Sequence, residues 1–294
     1  MLQAISSQHD AHHERRHKNS LASLAASQLD DKVHLLLAAS GSVATIKLPL
    51  IIDAIGRHTD KVLSIRVLLT PSASRFLAGQ SREQPHVSSL LDMDYVDGVY
   101  VDVDEWREPW KRGDSILHIE LRRWAHLLVI APLSANTMAK IVGGFADGIL
   151  TSVVRAWDAW GELDSNVAAP TSEQAYANGS RRRKQKKRII VAPAMNTAMW
   201  RHPVTAKQIR VLEEEWGVGK TKRGAADAVV PDRDVEESKT KPTDEGDGWF
   251  EVLRPQQKTL ACGDVGDGAM MDWRDIVAVI EDRLGICYTA HGRD

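Results

Sequence analysis

The sequence predicts a single α/β domain built on a parallel sheet covered by helices on both faces. Three observations lead there. Short runs rich in Val, Ile and Leu alternate with longer stretches of helical periodicity, the pattern of strands buried on both sides. Each run ends in small or polar residues of the kind that open a helix. Three polar stretches, 1–31, 161–187 and 220–247, hold too little apolar side chain to join a core. They read as a disordered N-terminal tail and two inserts in one domain spanning 32–285, with 286–294 as a C-terminal tail.

The elements follow in order. Val33–Ala39 ("VHLLLAA") is the first strand and "SGSVAT" its exit. Ser64–Thr70 ("SIRVLLT") is the second, leading into "PSAS". Leu127–Ala131 ("LLVIA") leads into "PLSANT", and Arg188–Ala192 ("RIIVA") into "PAMNTAMW". A weaker fifth strand is expected near Leu260, before "CGDVGDG". In an open parallel sheet the loops after the strands gather at the carboxyl edge, where ligands bind, so five polar loops are expected to converge. Ser134 is expected to cap the helix after the third strand, and Asp114 the helix carrying His118.

Composition excludes several classes. With 38 Lys and Arg against 40 Asp and Glu, the net charge of −2 gives no field that would favour nucleic acid or an anionic membrane surface. Two cysteines, Cys262 and Cys287, make no disulfide framework and fit a reducing, cytoplasmic setting. No apolar window approaches the roughly 18 residues of a membrane span. "HDAHHERRH" (9–17) reads as a polar tail, so no metal site is expected. "RRRKQKKR" (181–188) reads as a solvated insert, with nuclear access as its other meaning.

The loops "GSVAT" and "SANT" carry hydroxyls at Ser42, Thr45, Ser134 and Thr137. A helix N-terminus offers unpaired N–H donors and partial positive charge, so it can hold a phosphate without Lys or Arg. Neither loop has the spacing of a dinucleotide fingerprint or a nucleoside-triphosphate loop, which favours a mononucleotide. Plain helix capping accounts for the same residues equally well.

Longer segments carry a family resemblance. "AASGSVATIKLP" (38–49), "VYVDVDEW" (99–106), "LHIELRRWA" (117–125), "APLSANTMAKIVGGFADGILTSVVRAWD" (131–158), "APAMNTAMW" (192–200) and "LACGDVGDGAM" (260–270) closely resemble the phosphopantothenoylcysteine decarboxylases, members of the homo-oligomeric flavin-containing cysteine decarboxylases. The resemblance spans about 32–285 apart from the inserts. It implies a flavodoxin-like (Rossmann-type) doubly wound fold, FMN as cofactor, and a homotrimer with active sites between subunits. The implied reaction takes 4'-phospho-N-pantothenoylcysteine to 4'-phosphopantetheine in coenzyme A synthesis. FMN contacts carry over to Gly41, Ser42, Val43, Thr70, Ser72, Phe76, Ser134, Ala135, Asn136 and Thr137.

The same resemblance implies the chemistry. An α-carboxylate leaves only when the electrons of the broken bond have a sink, and oxidation of the cysteine thiol to a thioaldehyde creates one. His118 matches the catalytic base, in the first turns of a helix whose dipole disfavours the imidazolium. Asn196 matches the residue that orients the substrate carboxylate, although a helix cap is its plain reading and both roles are compatible. Met199 and Ala261 match substrate-recognition positions. Cys262 matches the proton donor on a flap, with Gly263, Gly266 and Gly268 giving that segment its bend. The resemblance assigns no residue to the substrate phosphate; Arg254 and Lys258 are simply cations near the flap in sequence, while His126 and Cys287 read as structural. Two other activities within the family are a phosphatase-binding regulator, whose partner would be a protein phosphatase, and a decarboxylase of peptide C-terminal cysteines. Retention of His118, Asn196 and Cys262 together favours the small-molecule enzyme.

Overall fold

The computed structural model describes residues 19–55, 57, 62–161, 163, 186–218, 248–259 and 265–286. The chain enters with α1 (Leu21–Ala26), followed by β1 (Val33–Ala39), α2 (Leu48–Ala54), β2 (Leu63–Leu69) and the short α3 (Pro71–Ser74). Next come a small hairpin, β3 (Ala78–Ser81) and β4 (Gln84–His86), and then β5 (Val96–Val101), α4 (Leu117–Trp124), β6 (Leu127–Leu133), α5 (Ala135–Val142) and α6 (Ile149–Arg155). The last third holds β7 (Arg188–Pro193), α7 (Thr197–Arg201), α8 (Pro203–Arg210), β8 (Phe250–Val252), the hairpin β9 (Gln256–Thr259) and β10 (Val265–Ala269), and α9 (Trp273–Leu284).

Six strands form one sheet in the order β5-β2-β1-β6-β7-β8, and every pairing is parallel. The order runs outward from β1 in one direction and from β6 in the other, which makes the sheet doubly wound with its switch point between β1 and β6. Side chains alternate across it as period-2 geometry requires. Leu35, Leu37 and Ala39 of β1 enter one core with α2 and α9, whereas Leu36 and Ala38 enter a second core with α1, α4, α5 and α6. All seven β1 residues are buried, the reason its sequence is a continuous apolar run.

Several expectations change. β5 went unread because Asp97 and Gly98 interrupt its apolar run. The strand beside β7 is Phe250–Val252, not a segment near Leu260; the chain there forms the antiparallel β9–β10 pair outside the main sheet, and Leu260 itself lies outside the described residues. The domain also begins before residue 32. Leu24 of α1 is fully buried, and Asn19 Oδ1 accepts from Val99 N at 2.9 Å, so residues 19–31 of the expected tail belong to the fold. The end of the first polar insert is likewise structural: Lys187 is buried, and its Nζ donates to the carbonyls of Arg122 and Arg123, at 3.1 and 2.9 Å, where α4 ends. Asp114 does not cap α4. Ile116 holds that position, and Asp114 Oδ2 accepts from Lys111 N instead. The insert 220–247, the run 9–17, residues 181–185 and Cys287 lie outside the described residues. No helix among the described residues is long and apolar enough to cross a membrane.

A histidine stack locks α1's exit to the sheet. His34 lies between the rings of Trp124 and His126, centroids 4.5 and 4.8 Å away, with Nε2 2.8 Å from Asp30 Oδ1. His126 Nδ1 accepts from the His34 backbone N–H at 3.0 Å, the structural role expected of it. Burial pushes His126 down to about 3, the His34 and Lys187 charges acting in the same direction and Asp30 against them. Burial also lowers His34, opposed by its bond to Asp30. The unfolded chain takes up the His126 proton near 6.5 and the folded protein only near 3, so this stability is fully present above about pH 6.5 and is lost as pH falls toward 3. For His126 the loss is up to about 1.4 kcal/mol per pH unit. In thermal melts, His126→Gln should therefore flatten the decline of Tm between about pH 6.5 and 4. An unchanged slope would assign the acid sensitivity elsewhere.

Candidate active site

The switch point between β1 and β6 opens into a cavity of about 700 Å³, within the range of cofactor sites. Its walls come from the loops after β1, β2, β6 and β7 and from the β10 hairpin strand. Four of these segments carry a helix-capping side chain. Ser42 Oγ accepts from Ala44 N at 3.4 Å, Thr70 Oγ1 from Ala73 N at 3.2 Å, Ser134 Oγ from Thr137 N at 3.3 Å, and Asn196 Oδ1 from Met199 N at 2.8 Å. The capping reading of these residues is thus correct, and so is their convergence on one space. The N-terminus of the eight-residue helix α5 faces the cavity through Ala135 and Asn136.

Gly41 has a local reason to be glycine. A Cβ at that position would lie 2.5 Å from Ser72 Cβ, so the β1 and β2 loops can approach this closely only without one. Gly268 is similar: a Cβ there would lie 2.3 Å from the Met195 carbonyl oxygen, while Gly268 O accepts from Met195 N at 2.9 Å. That contact lays β10 along the β7 loop. Arg201 adds two donors, Nε and Nη2, to the single oxygen Asp267 Oδ2 at 2.9 and 2.7 Å.

Of the residues expected in the site, Gly41, Ser42, Val43, Thr70, Ser72, Ser134, Ala135, Asn136, Thr137, Asn196 and Met199 all line this cavity. Phe76 does not. The chain turns after α3, with Phe76 N donating to Ala73 O, and Leu77 enters the core behind. His118 is also outside the cavity; its Nδ1 lies 2.7 Å from Glu105 Oε1. Ala261 and Cys262 fall between β9 and β10, outside the described residues. Arg254 is committed elsewhere, in a bidentate pair with Glu213 at 2.7 and 2.5 Å. The cations that do line the cavity are Lys47 and Lys140, the latter paired with Asp147.

Sequence reasoning also missed Asp102, although it stands in the quoted "VYVDVDEW". Its Oδ1 accepts from Ile149 N at 3.1 Å, across the start of α6, and it lines the cavity. Burial holds this carboxyl above the usual carboxylate range, opposed by the bond from Ile149 and assisted by the charge of Asp147. Ala194 and Met195, the two residues that follow β7, are further wall residues.

A family model described as Flavoprotein matches residues 23–285. The phosphopantothenoylcysteine decarboxylase of Arabidopsis thaliana is 35% identical over 241 residues, 82% of this chain and 80% of that one. A probable thymidylate synthase of Schizosaccharomyces pombe is 35% identical over 255 residues, 87% of this chain but 30% of its own length. This chain spans about a third of the length of such fungal relatives. Among solved structures, a mutant PPC decarboxylase complexed with pantothenoylaminoethenethiol shares 33% identity at a TM-score of 0.56, covering 85% of this chain and 97% of the other. The FMN binding protein AtHal3 shares 33% identity at 0.54, covering 85% and 95%.

The β10 contact is open to a direct test. Gly268→Ala should push β10 off the Met195 carbonyl, and the Met195 amide should exchange with deuterium about tenfold faster or more as its bond is lost. Unchanged protection at Met195 would show that β10 is not held there.

Proposed function

Because the chain belongs to the flavoprotein family, we propose that it is an FMN-dependent decarboxylase that converts 4'-phospho-N-pantothenoylcysteine to 4'-phosphopantetheine, a step of coenzyme A synthesis. The observation that carries this reading is the meeting of Gly41–Val43, Thr70, Ser72, Ser134–Thr137, Asn196 and Met199 around one cavity. The names of the relatives supply the substrate class.

The residues present fit FMN. A phosphate needs several N–H donors and little steric bulk; the Gly41 loop, the Ser42 turn and the α5 N-terminus offer both. Apolar wall from Val43, Leu150, Met195 and Met270 suits a flat ring system. When bound, FMN would supply the hydride acceptor that turns the substrate thiol into an electron sink.

The chain's own residues then hold and move protons. Asn196 Oδ1 is occupied by the cap, which leaves its amide Nδ2–H groups to donate to a carboxylate. Orientation by a group fixed in this way needs no reordering on binding. Met199, 49% exposed at the cavity mouth, offers an apolar contact to the pantothenoyl arm. Cys262, on the β9–β10 connection, would return a proton to the product. His118 would accept the thiol proton, and since it lies outside the cavity of its own chain, it would serve the cavity of a neighbouring copy in a homotrimer. Val103, Trp106, Trp110 and Phe145 are large apolar side chains left exposed, three of them on the segment that carries Glu105, and they suit cover by that second copy.

The purified protein should bind FMN and release carbon dioxide and phosphopantetheine from phosphopantothenoylcysteine; absence of product with flavin bound would refute the activity. His118→Asn should keep the flavin spectrum and make no product, and Asn196→Asp should behave alike. Refolding the two inactive variants together should restore part of the activity, because a mixed assembly can bring an intact histidine to an intact asparagine. Gly41→Ala should lose flavin, read as loss of visible absorbance after gel filtration.

A further inference from the structure

We propose that Glu105 is a positioning residue for His118, an inference that rests on the decarboxylase reading above. The two residues stand 13 apart and come together because Glu105 follows the 3-10 turn Asp102–Asp104 at the end of β5, whereas His118 sits in the first turn of α4. A carboxylate oxygen only accepts, so His118 Nδ1 carries the proton and donates across the 2.7 Å to Glu105 Oε1. That tautomer leaves the ring's lone pair on Nε2. Nε2 has no hydrogen-bond partner among the described residues, and the His118 side chain is 20% exposed. The pair therefore presents a basic nitrogen outward with its far side held.

An ordinary surface ion pair does not look like this. The Glu105 side chain is 4% exposed, and its second oxygen, Oε2, is buried with no partner among the described residues. Burying a carboxyl group with one oxygen unsatisfied costs free energy, and an apolar side chain of similar size would avoid that cost. The arrangement is better explained by what it does for the ring. Asp102, three residues before Glu105, lines the cavity and lies within reach of the Glu105 charge, so the pair stands next to the cavity wall of its own chain.

In the reaction the substrate S–H bond breaks, the proton goes to His118 Nε2, and the electron pair stays on sulfur. The ring becomes positively charged while Nδ1 keeps its proton, and the Glu105 carboxylate stabilises that charge at hydrogen-bond distance. Glu105 touches neither substrate nor cofactor; it acts through the ring.

The test uses full-length, FMN-loaded protein. Glu105→Gln keeps the shape, removes the charge and introduces an amide that can donate to Nδ1 and so reverse the tautomer. Its flavin absorbance and KM should match wild type while kcat falls about 10²- to 10⁴-fold, as when the orienting carboxylate of a catalytic histidine is removed. Glu105→Asp, which retains the charge at shorter reach, should recover part of kcat. Nitrogen-15 NMR of histidine-labelled wild-type protein reads the tautomer without turnover: the His118 signal, assigned by its loss in His118→Asn, should show Nδ1–H. A wild-type kcat in Glu105→Gln, or an Nε2–H ring in the wild type, overturns the inference and leaves the decarboxylase reading intact. A wild type with Nδ1–H that makes no phosphopantetheine overturns the decarboxylase reading, and with it the role of Glu105 in that reaction.

Discussion

The hydroxyl of Ser40 is the point on which the rest of the site depends. It is fully buried at the end of β1, donates to Pro132 O at 3.0 Å and accepts from Ser134 N at 2.7 Å. Thr45 Oγ1 closes the same knot by donating to Ser40 O at 3.1 Å. β1 and β6 are the two strands from which the sheet winds in opposite directions, so their exit loops would otherwise separate. One side chain with two bonds fixes the Ser42 turn against the start of α5. That knot holds in place the helix starts after Ser42 and Ser134, whose backbone N–H groups border the cavity. A bound phosphate would meet groups that no longer have to be ordered, which is why such a site can be tight without being strongly charged.

The scaffold separates this site from the described residues that flank the two polar inserts. Both polar inserts lead into strands at their amino ends, the first before β7 and the second before β8, whereas the cavity lies at the carboxyl edge. Around the insert flanks, Trp160, Trp216, Trp249 and Phe250 pack with centroids 5.6 to 6.2 Å apart. Lys187 ties the return of the first insert to the end of α4. The strand register that positions Asn196 is fixed by Ile189, Ile190 and Val191 in the core.

How much of this the sequence disclosed follows from physics that acts at short range. A strand buried on both faces must be a continuous apolar run, so β1, β2, β6 and β7 were legible to within a few residues. The caps at Ser134 and Asn196 were legible because capping is a contact between residues three apart. β5 and β8 were not: one is broken by Asp97 and Gly98, and the other is three residues long, and each owes its place to its neighbour in the sheet. The strand expected near Leu260 was placed in the parallel sheet, whereas β9, ending at Thr259, pairs antiparallel with β10, a pairing that the local run of residues does not disclose. The roles of the site residues came from matched segments of a known family and not from spacing, whereas Asp102 and Glu105, inside one of those segments, needed coordinates to show what they touch.

His118 and Asn196 pose the remaining question of architecture. The asparagine is built into the cavity by its own cap, and the histidine is built away from it by a different element, 13 residues beyond the carboxylate it meets. Had both faced one cavity, a single chain would suffice for binding and for proton transfer. Here His118 is held by Glu105 outside the cavity lining, beside the wall that Asp102 contributes, and Trp106 and Trp110, close to Glu105 in sequence, are exposed. In the proposed homotrimer, association of copies would bring the histidine of one to the cavity of another, so that each interface would complete a site rather than merely stabilise a fold. A rigid histidine then matters more than in a one-chain enzyme, because an error in its angle adds to any looseness at the interface. In that assembly Glu105 would limit the first of these errors, and the exposed Val103, Trp106 and Trp110, once covered, the second.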